Sequence, residues 1–172
     1  MRVVAALGGN ALLERGEPPD SDIQQGHVAS AVAALAPLAR DHELIITHGN
    51  GPQVGLLAME SARDPTLSRP YPFDVLGAQT QGMIGYWLVQ ALQNALPGRL
   101  AGCLVCRTLV SADDPAFADP VKFVGPLGGP SRWMPDPADQ GHCTGWELMS
   151  ISRVLVACSR CTTTARKRRV SS

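Results

Sequence analysis

Along the chain, apolar positions fall into short blocks cut by glycine, asparagine and proline, and the rhythm within each block predicts its element. Residues 2–7, RVVAAL, form an unbroken apolar run stopped by Gly8, Gly9 and Asn10, the pattern of a buried strand ending in a turn. Over residues 23–39, Val28, Val32, Leu35 and Leu38 recur at helical steps among alanines, which predicts an amphipathic helix. Pro37 marks a bend in that helix or its last turn. Residues 42–47, HELIIT, form a second strand that also runs into glycine and asparagine, at His48, Gly49, Asn50 and Gly51. A helix is predicted over 52–62, a proline-bearing loop over 63–72, and a long helix over 73–96 whose spacing rests on Val75, Met83, Trp87 and Leu92. Residues 103–110, rich in Leu and Val, form a third predicted strand, followed by a loop to residue 126.

Strands alternating with helices predict an α/β fold, a mainly parallel sheet flanked by helices on both faces, over residues 1–126. Neither period persists beyond residue 127, so 127–172 is expected to be an irregular tail, out of frame or disordered. No internal repeat occurs.

Composition narrows the function. A chain of 172 residues, 45% hydrophobic, is the size of one ordinary domain with a buried core. Fifteen basic residues balance fifteen acidic ones, and no basic stripe runs through the first 150 positions, so nucleic acid and anionic membrane are not expected partners. A small-molecule ligand is favoured. The apolar start is too short for a signal peptide or a membrane span, which predicts a soluble, cytoplasmic protein. Five cysteines in a reducing compartment are expected to be free thiols.

Two C-x-x-C units, at Cys103/Cys106 and Cys158/Cys161, have a spacing that can build a zinc site. On a strand, however, residues three apart face opposite ways, so Cys103 and Cys106 could not both reach one metal, and no metal site is expected. The terminal ARKRR cluster reads as a solvated tail.

The candidate chemistry lies in the two turns. Gly8, Gly9 and Asn10 close the first strand, and Gly49, Asn50 and Gly51 follow the second. In parallel α/β sheets such turns share one crevice at the carboxyl edge, where ligands bind. Glycines there let the main chain come close to a ligand and present N–H groups, which suit phosphate or carboxylate oxygens. The plainer reading is that glycine and asparagine merely serve turns with positive φ. Two such turns at matching places favour an anion site, although neither carries a nucleotide-binding fingerprint. His48 adjoins the second turn, and its expected task is a hydrogen bond that fixes the loop.

The segments VVAALGGNALL (3–13), IITHGNGPQVGLL (45–57), DVLGAQTQGMIGYWL (74–88) and DPAFADPVKFVGP (114–126) resemble, in order, the successive signatures of the carbamate kinases, members of the amino-acid kinase superfamily. The resemblance implies the amino-terminal lobe of that fold. It implies reversible phosphoryl transfer between ATP and carbamate, giving carbamoyl phosphate and ADP, with Mg2+ accompanying the nucleotide. By the same resemblance Gly8, Gly9, Asn10, Gly49, Asn50 and Gly51 line the carbamate and the transferred phosphoryl group. Lys122 matches the lysine of the family's K-P-I-G-P motif, and Lys122, Asn10 and Gly9 are the implied catalytic groups. Gln79, Gln81 and Tyr86 fit the family's pattern on the long helix, which is read as scaffold and dimer surface. A homodimer is implied for intact members.

The residues depart from the family after Gly125 and Pro126, and the nucleotide-binding half is not found, so this chain alone is expected to turn over little or not at all. Cys106, Arg107 and Ser111 also stand where the family pattern has other residues. Two other readings stay open: another superfamily member that phosphorylates an amino-acid carboxylate, and a non-catalytic module that binds anions or pairs with an intact subunit.

Overall fold

Alternation along the first strand sets the geometry of the sheet. In β1 (Arg2–Leu7), Val3, Ala5 and Leu7 pack towards the core while Arg2, Val4 and Ala6 are exposed. β2 (Glu43–His48) repeats the rhythm, with Leu44, Ile46 and His48 buried. The structure, a computed structural model, describes residues 1–14, 16–107, 111 and 155–159, the last segment by its main chain alone. Between these strands lies α1 (Ser21–Asp41); α2 (Gly51–Arg63), α3 (Phe73–Ala95), β3 (Leu100–Leu104) and β4 (Leu155–Ser159) complete the order.

The sheet runs β1-β2-β4-β3. β1 and β2 are parallel, in register from Arg2 opposite Glu43 to Leu7 opposite His48. β4 lies between β2 and β3, antiparallel to both. β1, β2 and β3 therefore run the same way and β4 alone is reversed, so the fold is α/β as its pattern predicts.

α1 and α3 cover one face of the sheet, and their core includes Val28, Val32, Leu44, Ile46, Ile84 and Leu88. In α1 the buried apolar stripe is Val28, Val32, Ala36 and Ala39, whereas Leu38 is exposed, because small alanines let the helix sit close to its neighbours. Pro37 lies inside the helix, which continues to Asp41. In α3 the buried positions include Leu76, Thr80, Ile84, Leu88 and Leu92, with Met83 and Trp87 partly buried beside them. The stripe is thus one residue from the expected one at several points, and it carries a polar residue in its middle.

Two expectations need correction. The third strand, expected over 103–110, occupies Leu100–Leu104; an apolar run without alternation does not mark its own ends, and pairing with β4 decides them. Residues 105–107 are not in a strand, and 108–110 lie outside the described residues. The tail was expected to hold no regular element, yet Leu155–Ser159 forms β4, whose two sets of ladder partners supply what a five-residue pattern could not announce. Among the described residues the opposite face of the sheet is bare, with Val4 63%, Leu100 60% and Leu104 56% exposed.

Candidate functional site

The parallel register brings the carboxyl ends of β1 and β2 together, so the chain leaves both strands at one edge. After β1, Gly9–Ala11 form a single 3-10 turn, in which Ala11 N donates to Gly8 O at 3.0 Å and Leu12 N to Gly9 O at 3.1 Å. Leu12, buried behind it, anchors the turn to the core. After β2, Gly49 N donates back to Leu7 O at 3.1 Å, which ties the second turn to the end of β1. Asn50 then caps α2, whose early Pro52 is favoured in a first turn because no intrahelical partner awaits its missing N–H.

The two turns touch. A Cβ placed on Gly49 would lie 3.5 Å from Gly9 N, and one on Gly9 would lie 3.4 Å from Pro52 Cδ. Neither turn uses positive φ, since among the described residues only Gly16 and Gly98 do. Turn geometry therefore does not require these glycines. Packing does not demand them either, since an added Cβ at Gly9 would meet the Pro52 ring, and one at Gly49 the Gly9 backbone, at ordinary contact distance. Gly8 is the most open of the three: its φ of −67° and ψ of 161° suit any residue, and no described atom lies within 4 Å of an added Cβ.

Opening N–H groups of a helix have no intrahelical partner, and the aligned peptide dipoles make that end positive. The start of α2 at Gly51 and the turn at Gly9 thus present main-chain donors at the same sheet edge. Such an arrangement is suited to oxyanions of phosphate or carboxylate.

The two asparagines are not alike. Asn10 is exposed at the mouth of the edge. Asn50 is 1% exposed, and its Nδ2 donates to Thr80 Oγ1 at 2.8 Å, so it serves the scaffold through α3. Its Oδ1 is buried without a partner among the described residues. Behind it, Gln53 Nε2 donates to Gln24 Oε1 at 2.9 Å and Gln24 Nε2 donates to Pro19 O at 2.8 Å, linking the first turn of α2 to the start of α1.

His48 Nδ1 donates to Gly49 O at 3.0 Å, since a carbonyl can only accept, and the residue fixes the loop as expected. Burial holds its pKa below the usual value of 6.5, the carbonyl bond opposing this to a smaller degree. The folded chain therefore binds fewer protons at this site than the unfolded chain in the window below 6.5, and stability contributed by neutral His48 is lost as pH falls. Urea titrations at pH 7 and pH 5 are expected to show a lower midpoint at pH 5, with a smaller drop in His48→Gln, whose amide can still donate to Gly49 O. An equal drop in both proteins would contradict this.

Other expected site residues fall differently. Lys122 lies outside the described residues. Gln81 is buried and pairs both ways with the main chain of Cys106, accepting from its N–H at 2.8 Å and donating to its C=O at 3.2 Å. It thereby pins the segment that leaves β3. Gln79 and Tyr86 are exposed. Cys103 is half-buried in β3 and Cys106 is exposed beyond its end, both as free thiols. In the sheet register Cys158 stands opposite Ala101, and Cys161 lies outside the described residues. No cluster of metal-ligating side chains occurs among the described residues. None of their helices is long and apolar enough to cross a membrane. A groove of about 450 Å³ between α1 and α3, lined by Val28, Val32, Trp87 and Gln90 among others, includes no residue of either turn.

Sequence reasoning missed Gln24, Gln53 and Thr80. The only sign of them was a polar residue falling within an otherwise apolar helical stripe.

No family model matches the chain. It is 51% identical over 129 residues to a carbamate kinase of Rhizobium meliloti, covering 74% of this chain and 39% of that protein. With a carbamate kinase of Escherichia coli O6:H1 it is 47% identical over 154 residues, 89% of this chain and 50% of the other. That alignment takes in residues beyond 126. Among solved structures, the carbamate kinase of Giardia lamblia bound to AMP-PNP superposes with a TM-score of 0.64 at 36% identity, covering 74% of this chain and 42% of that one. The chain thus spans half or less of the length of these relatives.

Proposed function

We propose, on the premise that this chain is homologous to part of the carbamate kinases, that its two turns bind carbamate and the phosphoryl group exchanged with ATP. The reaction is ATP + carbamate = ADP + carbamoyl phosphate. One observation carries this reading: Gly9 and Gly49 come into contact at a sheet edge where the first turn of α2 also begins.

In phosphoryl transfer the attacking oxygen, phosphorus and leaving oxygen stand in line, and the protein's part is to position them and to neutralise the equatorial oxygens. In this reading the amides of Gly8, Gly9 and Asn10 and of Asn50 and Gly51 orient the phosphoryl oxygens, while Gly49, whose N–H is taken by Leu7 O, lines the site and holds the two turns together. The exposed Asn10 amide adds a side-chain donor. Lys122 supplies a positive charge for the transferred group. The carbamate oxygen is already anionic and needs no general base, which leaves neutral His48 its task in fixing the loop.

ATP supplies the phosphoryl group, and Mg2+, where it acts, comes with the nucleotide phosphates. The Giardia relative was solved with AMP-PNP, in keeping with a nucleotide-dependent reaction. The turns fit the transferred phosphoryl end. We assign no described residue to the base or ribose. Turnover is accordingly expected to require sequence corresponding to the rest of the relatives' length, and an intact form is expected to work in the cytoplasm as a homodimer.

Calorimetry tests this directly. The purified chain is expected to bind phosphonoacetamide, a stable isostere of carbamoyl phosphate, and to show no saturable binding of ATP. Micromolar ATP binding would overturn the division of labour proposed here. In turnover assays an intact relative should accept carbamate and reject N-acetylglutamate; the opposite preference would favour a kinase of amino-acid carboxylates.

A further inference from the structure

Thr80 is wholly buried in the stripe of α3 that faces the core, where an apolar side chain would serve packing alone. Its hydroxyl lies 3.0 Å from Leu76 O and 3.0 Å from Gly77 O. A hydroxyl has one proton, and both carbonyls can only accept, so the helix's own backbone takes that proton. What Thr80 offers outward is a lone pair, and Asn50 Nδ2 meets it at 2.8 Å. The hydroxyl thereby selects which end of the Asn50 amide faces α3.

Asn50 is the residue at which the second turn becomes α2. Its backbone, at φ −140° and ψ 15°, is neither helical nor extended, and its carbonyl accepts the first helical bond, from Val54 N at 2.9 Å. No side-chain cap holds it there. Its Oδ1 is buried without a described partner, a cost that an apolar residue would avoid. A polar side chain kept at such a cost, and held by one directed bond across 30 residues of sequence, points to a demand on the position of the turn.

We propose that Thr80 is a positioning residue for the anion pocket: by fixing Asn50 it holds the opening N–H groups of α2 in register with the Gly9 turn. This inference rests on the reading of the two turns as an oxyanion site. Thr80 itself touches no ligand. Without its hydroxyl the Asn50 amide loses its acceptor, and the turn gains freedom that a bound oxyanion must then remove.

The test uses the full chain with Thr80→Val, which keeps the shape and removes the hydroxyl, and Thr80→Ser, which keeps the hydroxyl. Should the valine variant fail to fold, Thr80→Ala replaces it, since alanine and serine differ only in the hydroxyl. Two quantities are read: the dissociation constant for phosphonoacetamide, and hydrogen exchange at the Val54 amide relative to that at Ile46 in the sheet. Thr80→Val is expected to weaken binding about tenfold and to speed Val54 exchange by a similar factor relative to Ile46. Thr80→Ser is expected to restore both to within about threefold of the unaltered chain. The proposal is overturned if the valine and serine variants behave alike, or if exchange rises equally at Val54 and Ile46, which would mark a merely structural role. If the unaltered chain binds no phosphonoacetamide, the pocket reading fails and the ligand role of Thr80 fails with it; the exchange ratio then shows separately whether Thr80 holds the turn.

Discussion

Replacing Gly8 with alanine is expected to stabilise the chain by about 0.4–1 kcal/mol while weakening oxyanion binding about tenfold or more. The two effects have separate causes. Gly8 already holds an extended backbone that alanine adopts without strain, and an added Cβ meets no described atom within 4 Å. The fold therefore gains from the smaller conformational freedom of the unfolded chain. A ligand drawn up to the Gly8 main chain would meet that same Cβ. Urea unfolding and calorimetry with phosphonoacetamide read the two effects independently. Unchanged affinity in Gly8→Ala would mean that nothing approaches this stretch of backbone.

A second large effect is expected in the core. Leu88→Ala should lower the unfolding free energy by about 3 kcal/mol, because Leu88 is fully buried where α3 meets α1 and the sheet, and its neighbours cannot close the space it leaves. A domain of this size has a total stability of about 5–15 kcal/mol, so the variant should unfold at a visibly lower urea concentration. A loss below about 1 kcal/mol would show that the site collapses freely and that Leu88 does not anchor α3 to the core.

How far these features could be read beforehand depends on what each one rests on. β1 and β2 were legible because a compact apolar run ends at a glycine-asparagine turn in both, and the long helix because its spacing holds for more than twenty residues. β3 was placed too late, since LAGCLVC is apolar without alternation and its ends are decided by pairing with a strand from the far end of the chain. The buried stripe of α3 lies one residue on from Val75, Met83 and Trp87, at Leu76, Ile84 and Leu88, because both rows are apolar at helical spacing and only packing tells them apart.

The chemistry was legible in kind and not in detail. Gly-Gly-Asn and Gly-Asn-Gly looked equivalent in the sequence, yet one asparagine is exposed and the other is tied to Thr80 across the core. Such a bond joins atoms far apart in sequence, and no local pattern encodes it. Equally, residue type alone cannot tell a glycine needed for positive φ from one needed for close approach. The backbone angles exclude positive φ at Gly9 and Gly49, and an added Cβ at either would meet its neighbour only at ordinary contact distance.

The most direct measurement of the central claim is to titrate the isotope-labelled chain with phosphonoacetamide while following the backbone amide resonances of Gly9 and Gly51. Both are predicted to shift in one saturable transition with a common dissociation constant, because one ligand bridges the two turns. Shifts at one turn alone, or at neither, would contradict the account.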